Sequence, residues 1–316
     1  MVSYIIRRLL IAVPVLWGVT VICFAVINMA PGSPLDMIVD PNISAADIAA
    51  RKEALGLNAP LYVQYFHWLE NLLQGNLGYS MTTYRPVAEM IGERIGPTLV
   101  LMGAALLIGI VLSIPLGIIS ATRQYSKLDY LFATGSLLGI SVPTFFLGLS
   151  SIYIFSLVLK ILPSSGMITL GTGGGIVDRL QHLLMPAMVL GVNVAGKLVR
   201  YVRSCMLEIL DQDYLRTARA KGLSESIVIN RHALRNGLIP IITVVGLEIA
   251  TLLGGAIITE QIFSWPGIGQ LTMESVMSRD YPTLMGLNLF AAAVVLGVNL
   301  LTDVAYSFAD PRIRYN

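Results

Sequence analysis

The chain has 316 residues, 55% of them hydrophobic and 13% charged, with a formal net charge of +2 and a mean hydropathy of +0.73. That much apolar side chain cannot be hidden in one water-soluble core of this length, so composition excludes an ordinary soluble globule and describes a polytopic membrane protein. Nothing in the charge supports nucleic-acid binding. Two cysteines, Cys23 and Cys205, lie in or at the end of separate apolar segments, and His67, His182 and His232 are scattered. None has metal-ligand spacing, so no metal site is assigned.

Arg7 and Arg8 precede an apolar run from Leu9 to about Met29. The run exceeds a signal-peptide core, and Asn28-Met29-Ala30 lacks a small-x-small cleavage pattern, so residues 1–30 read as an inner N-terminus and a first transmembrane helix. Residues 31–97 are polar enough to form an external helical domain. Ser44 with Asp47 resembles a capping box opening a helix that ends near Gly56. Pro60 suits the first turn of a second helix, whose stripe is Leu61, Tyr65, Trp68 or Leu69, and Leu72, and Gly75 stops it. Tyr65 and Trp68 suit a membrane interface.

Residues 98–316 hold five further crossings. Thr98 to about Ile119 runs inward and ends at Arg123 and Lys127. Asp129 to Leu162 is longer than one crossing needs, which predicts an interfacial stretch leading into a bent helix, with Pro143 at the bend. Ser141, Pro143 and Phe145 stand where a backbone break, small residues and aromatics meet at membrane depth, and two readings stay open: close helix packing, or the lining of a pathway. Pro163 to about Leu183 is an external return. Its Gly171-Thr172-Gly173-Gly174-Gly175 has no following Gly-Lys-Ser/Thr, so it is a flexible loop and not a phosphate cradle. The fourth crossing, about Leu184 to Met206, carries Lys197, Arg200 and Arg203 at its inner end, where long side chains can snorkel to headgroups.

A polar, basic segment from Asp211 to Asn236 follows. Leu215, Ala218, Ala220 and Leu223 alternate with Arg216, Arg219 and Lys221 at helical spacing, and Gly222 has the place of a helix-ending residue. Ser224 reads as the N-cap of a second helix with Ile227, Val228 and Leu234 on its apolar face. The segment is therefore a cytoplasmic helix-turn-helix hairpin, either a charged loop that only obeys topology or a docking element.

The fifth crossing, about Leu238 to Ile258, contains Glu248, with Gly246, Gly254 and Gly255 for close helix approach. An acid at that depth faces the bundle interior. It is satisfied there by hydrogen bonds or protonated, or lines a solute path and meets cationic groups, or serves proton coupling. Beyond it, Trp265-Pro266-Gly267 breaks the backbone at the outer interface, as a gate or as a static interfacial anchor. Leu284 to Phe308 makes the sixth crossing, with Asn299 and Asp303 as its polar residues. Arg7, Arg8, Arg123, Lys127, Lys197, Arg200, Arg203, the hairpin cations, Arg312 and Arg314 then lie inside. Arg51, Lys52, Arg85, Arg94, Lys160, Arg179 and Arg279 lie outside, a positive-inside distribution with both termini cytoplasmic.

The hairpin resembles the coupling motif of ABC importer permeases, written EAA, three residues, Gly, nine residues, Ile-x-Leu-Pro. Ala218, Gly222 and Leu234 match; Arg216 stands for the Glu and Arg235 for the Pro. Arg216-Thr217-Ala218-Arg219-Ala220-Lys221-Gly222-Leu223 with His232-Ala233-Leu234-Arg235-Asn236 is similar to the peptide/nickel branch. So are Arg7-Arg8-Leu9, Leu55 to Leu61, Gly75-Asn76-Leu77-Gly78, Phe263-Ser264-Trp265-Pro266-Gly267, Arg279-Asp280-Tyr281-Pro282 and Asp310 to Arg314.

That resemblance covers nearly the whole chain. It implies an all-α fold of six transmembrane helices, the type I importer permease fold, in a bacterial or archaeal inner membrane. It further implies a second homologous permease subunit as heterodimer partner, two cytoplasmic ATPases that bind ATP and Mg, and an external solute-binding protein that delivers di- or oligopeptides. No Walker A motif or catalytic acid pair is present, so the chain itself is read as non-catalytic and without a cofactor. Arg216, Thr217, Ala218, Arg219, Ala220, Lys221, Gly222, Leu223, Leu234 and Arg235 are the expected ATPase-coupling residues, with Ala218, Gly222 and Leu223 fitting a groove and the cations setting orientation. Ser141, Pro143, Phe145, Glu248, Trp265 and Pro266 are the pathway or gate candidates. An ion-gradient transporter working through Glu248, Asp303 or Asn299, and a scaffold with a sealed centre, are the rival readings.

Overall fold

In the computed structural model, residues 2–29, 53, 58–171 and 173–309 are described. The expected Ser44 to Gly56 helix, apart from Glu53, and the closing Asp310 to Arg314 lie outside them. Among the described residues the protein is all-helical. Helix α1 is Val2–Met29 and α2 is Leu61–Leu73. Helix α3 (Val87–Thr122) is followed by α4 (Lys127–Ser141) and α5 (Thr144–Ser151), which continues as a π-helical turn, Ile152–Val158. Then come α6 (Ile176–Leu210), α7 (Asp213–Ala220), the single turn α8 (Glu225–Ile227), a π-helical turn Val228–Ala233, α9 (Leu234–Ile262), α10 (Ile268–Met277) and α11 (Tyr281–Ala309).

Among the described residues four helices are long and apolar enough to cross a membrane, and the number reaches six if two bent pairs each count as one span. The first pair, α4 with α5, is bent by 95° at the break before Thr144. Pro143 causes it, since the residue before a proline is driven out of the α region and Val142 is extended. The second pair joins Glu225–Leu238 to Pro240–Gly254 at 52°, where Pro240 can donate no backbone hydrogen bond.

Two helices start earlier than the sequence suggests. Pro97 reads as a boundary, yet α3 begins at Val87 and runs through it. Helix α6 begins at Ile176, inside the expected external return. In both cases the first turns are amphipathic, carrying Glu89, Glu93 and Arg94 or Asp178 and Arg179, so polarity masks helical continuation.

The chain forms two compact units: Val2–Gly96 with Gly267–Leu296, and Pro97–Pro266 with the chain from Gly297. The first unit thus groups residues 267–296 with the N-terminal part, because Ile268, Leu271 and Leu287 bury themselves among Val87, Met90 and Ile91. In the same unit α2 packs on α1, where the Tyr65 ring meets Phe24 at 5.4 Å and its hydroxyl lies 2.9 Å from Thr20 Oγ1.

The second unit is built on α6. Leu101, Met102 and Ala105 of α3, Leu190, Val194 and Leu198 of α6, and Val244, Leu252 and Ala256 of α9 share one buried cluster with Trp265. Small residues set the α3–α6 spacing. A Cβ on Gly109 would sit 2.5 Å from Val194 Cγ1, and one on Gly191 would sit 2.7 Å from Ile108 Cγ2. Only 6% of the apolar window of α1 is buried, which leaves exposed apolar surface there for lipid or a partner.

Candidate functional site

The hairpin is assembled from its own core outward. Helix α7 carries Asp213 in its first turn and Arg219 in its last, each favourable to the helix dipole. One face, Leu215 and Ala218, is buried with Val202 and Met206 of α6 and with Val228, Ala233 and Ile241 across the turn; Leu234 packs against this cluster. Gly222, at φ +81°, ends the helix: its N–H donates to the Arg219 carbonyl at 2.9 Å and the Leu223 N–H to the Ala218 carbonyl at 3.4 Å. This is a Schellman ending, whose left-handed position favours glycine.

Arg219 then clamps the second helix, with Nε 3.1 Å from Glu225 Oε2 and Nη2 2.9 Å from Oε1. The Arg219 guanidinium holds the Glu225 carboxyl below its usual range. Ser224 sits at the N-cap in extended backbone, but its side chain makes no capping bond.

Ala218 therefore differs from its expected role as a docking contact, because its methyl is spent inside the chain. Arg219 differs in part, since its fork is engaged by Glu225. Arg216, Thr217, Ala220, Lys221, Gly222, Leu223 and Arg235 are exposed. Arg216 has only a loose partner, Asp213 Oδ1 at 3.3 Å.

In the middle of α9, Glu248 is buried and meets a cation of its own chain. Lys197 Nζ of α6 lies 3.0 Å from its Oε2, and Thr251 Oγ1 donates to the same oxygen at 3.0 Å. The side chains are 10% and 33% exposed for Glu248 and Lys197, so one end of the pair is open. Lys197 and Arg203 thus do not snorkel as the sequence suggests. Each finds an acid inside the unit, where attraction to the carboxylate offsets part of the solvation that the cation loses on burial.

Arg203 forms a two-point bond with Asp129 at the start of α4, Nε to Oδ1 at 2.8 Å and Nη2 to Oδ2 at 2.9 Å. Asp129 also accepts from Ser120 Oγ of α3, and from the Tyr125 N–H at 2.9 Å.

Trp265 is not an interfacial anchor. It is fully buried, and its Nε1 donates to the Pro97 carbonyl at 2.9 Å. The preceding Ser264 holds φ +47°, with the Trp265 N–H donating to the Glu260 carbonyl at 2.8 Å. That is the Schellman geometry again, here on a residue with a Cβ. Pro266 follows, half-buried.

Ser141, Pro143 and Phe145 lie on the outer surface of the chain, and the Ser141 hydroxyl donates to its own helix at Leu137. In the first unit Asp280 is buried and accepts from Ser80 Oγ at 2.5 Å, Thr283 Oγ1 at 2.8 Å, the Met81 N–H at 3.1 Å and Thr82 Oγ1 at 3.3 Å.

This arrangement, helices crossing a membrane with a basic hairpin carried between two of them, matches a known family over residues 113–315, described as "Binding-protein-dependent transport system inner membrane component". The chain belongs to that family. Its N-terminal region, residues 1–102, matches the companion description of such a component's N-terminus. It is thus a permease subunit of an ATP-driven importer and a multi-pass membrane protein.

Members of the family work with ATPase and solute-binding partners outside the permease chain. The "Oligopeptide transport system permease protein AppB" of Bacillus subtilis (strain 168) is 45% identical over 316 residues, 100% of both chains. The "Dipeptide transport system permease protein DppB" of Alkalihalophilus pseudofirmus is 40% identical over 333 residues, again 100% of both. Among solved structures, an inward-facing MetNI methionine ABC transporter shares the fold, with a TM-score of 0.59 and 16% identity over 71% of this chain and 97% of that one.

Sequence reasoning about this permease missed the partners of Lys197 and Arg203 and the role of Asp280. For Arg203 the available signal was an acid, Asp129, near the corresponding end of a neighbouring apolar segment.

Proposed function

We propose that this permease subunit forms half of a translocation pathway for short peptides, paired with a second homologous permease. A solute-binding protein delivers the peptide on the outer side, and two ATPases on the cytoplasmic side hydrolyse ATP with Mg. This chain performs no catalysis and holds no cofactor. Full-length identity to relatives named for oligopeptides and dipeptides supports the cargo class.

The observation that carries the mechanism is the hairpin from 211 to 236. Its apolar side is consumed in the permease's own core, and its exposed side offers Arg216, Lys221, Leu223 and Arg235. A rigid, basic projection of this kind suits docking on an ATPase, where rim charges set orientation. Closure of the ATPases pushes it, and α6 and α9, packed against the same cluster, carry the push towards the membrane.

Glu248 and Lys197 lie between those helices, the partly open Lys197 facing a path and the pair presenting no net charge. A neutral path suits zwitterionic peptides better than a cation filter does. Trp265 and Pro266 then act as the gate element on the outer side, with Ser141, Pro143 and Phe145 facing the second permease or the path.

The test is ATP-dependent uptake of a peptide mixture into proteoliposomes holding the permease with its partner subunits, with and without ionophores. Uptake that requires ATP and survives collapse of ion gradients supports the reading. Uptake that follows a gradient without ATP overturns it.

A further inference from the structure

We infer that the Asp129–Arg203 pair positions α4 relative to the hairpin, so that motion of the hairpin moves α4 and the bent α4–α5 unit instead of α6 alone. This rests on the docking role proposed for the hairpin. Val202 and Met206, flanking Arg203 on α6, form the floor on which Leu215 and Ala218 of the hairpin sit. A push on the hairpin therefore arrives on α6 at the turn that bears Arg203.

From there the load has a stiff route. Both ends of the guanidinium fork are bound to one carboxylate, at 2.8 and 2.9 Å, and a planar two-point contact resists rotation as a single contact does not. The same carboxylate takes Ser120 of α3 and the Tyr125 N–H of the turn between α3 and α4, where Tyr125 holds φ +62°. Asp129 is buried, 3% exposed. One acid thus joins three elements on the hairpin side.

Farther along, α4 and α6 pack closely. A Cβ on Gly196 would meet the Ser136 carbonyl at 2.8 Å, and one on Gly139 would meet the Val192 carbonyl at 3.4 Å. Glycine contacts hold the middle of the pair of helices, and the ion pair holds its end. The next break along the chain is the 95° bend before Thr144. α4 is therefore the lever arm whose far end sets the direction of α5.

The experiment uses the assembled transporter in proteoliposomes, with uptake and ATP hydrolysis measured on the same sample. Asp129→Asn removes the charge and one acceptor; Arg203→Lys keeps the charge and loses the two-point geometry. Spin labels at Ala220→Cys in the hairpin and Leu131→Cys, an exposed position on α4, report distance with and without trapped nucleotide. The expected result is hydrolysis retained, with uptake per ATP lowered about tenfold, within the usual range of coupling between sites, and a hairpin label that still moves relative to the α4 label where the native pair move together.

Equal loss of uptake and hydrolysis, or labels that move as in the native protein, overturns the inference. If Asp129→Asn does not assemble, the ratio in Arg203→Lys decides by the same criterion. Reversing the exposed face with Arg216→Glu and Lys221→Glu separates the two proposals. An ATPase still bound and stimulated there counts against docking, whereas a normal uptake ratio in Asp129→Asn counts against the lever alone.

Discussion

Gly222 offers a clean perturbation, because two costs that usually mix are separated at this position. Its backbone sits at φ +81°, and a Cβ built there meets nothing within 4 Å. A substitution is therefore penalised by backbone conformation with no clash to relieve. Alanine in the left-handed region costs ~1–2 kcal/mol, which shifts a local equilibrium roughly 5- to 30-fold. Asparagine, which tolerates that region, costs less, and β-branched valine costs more. The bonds that open are the Gly222 N–H to the Arg219 carbonyl and the Leu223 N–H to the Ala218 carbonyl, at 2.9 and 3.4 Å. Their loss frees the turn that Arg219 and Glu225 close. Hydrogen exchange at the Gly222 and Leu223 amides of the assembled transporter reads the opening, and uptake per ATP reads its consequence. The expected protection order is Gly, Asn, Ala, Val. An asparagine variant as open as the valine variant, or an alanine variant as protected as the native chain, refutes the backbone argument and leaves the turn held by the Arg219–Glu225 pair.

Glu248→Gln leaves the Lys197 ammonium without its counter-charge, so peptide uptake should fall for cationic as well as neutral cargo, and most for cationic; uptake assays across charge classes showing a selective gain for cationic peptides would contradict the ion-pair reading. Asp280→Asn replaces a carboxylate serving four donors by an amide with one acceptor oxygen, leaving a buried donor unpaired at a cost of ~1–3 kcal/mol; thermal unfolding in detergent should show a lowered midpoint, and an unchanged midpoint would mean that Ser80 and Met81 find other partners.

The hydrophobic runs determined that the chain crosses a membrane, that helices fill those runs, and that a basic hairpin interrupts them. These are local properties: length of apolar sequence, proline at 143, glycine at 222. The motif residues likewise carried the family, because the turn chemistry of Gly222 and the Trp265-Pro266-Gly267 break are written in adjacent positions. Helix starts at Val87 and Ile176 were hidden, since an amphipathic first turn has the same composition as a polar loop.

Only the tertiary structure decided which polar groups meet. Asp129 and Arg203 are 74 positions apart, Lys197 and Glu248 are 51 apart, and Ser80 and Asp280 are 200 apart. No periodicity within one helix encodes such a pairing. It follows from the rotation and spacing of helices, set here by the close approaches at Gly109, Gly191 and Gly196. The same packing buried Ala218 and Trp265, two residues that sequence alone placed at surfaces. A side chain's chemistry can be read from its letter, but its surroundings depend on which neighbouring helix faces it, and that is fixed by the summed packing of the bundle.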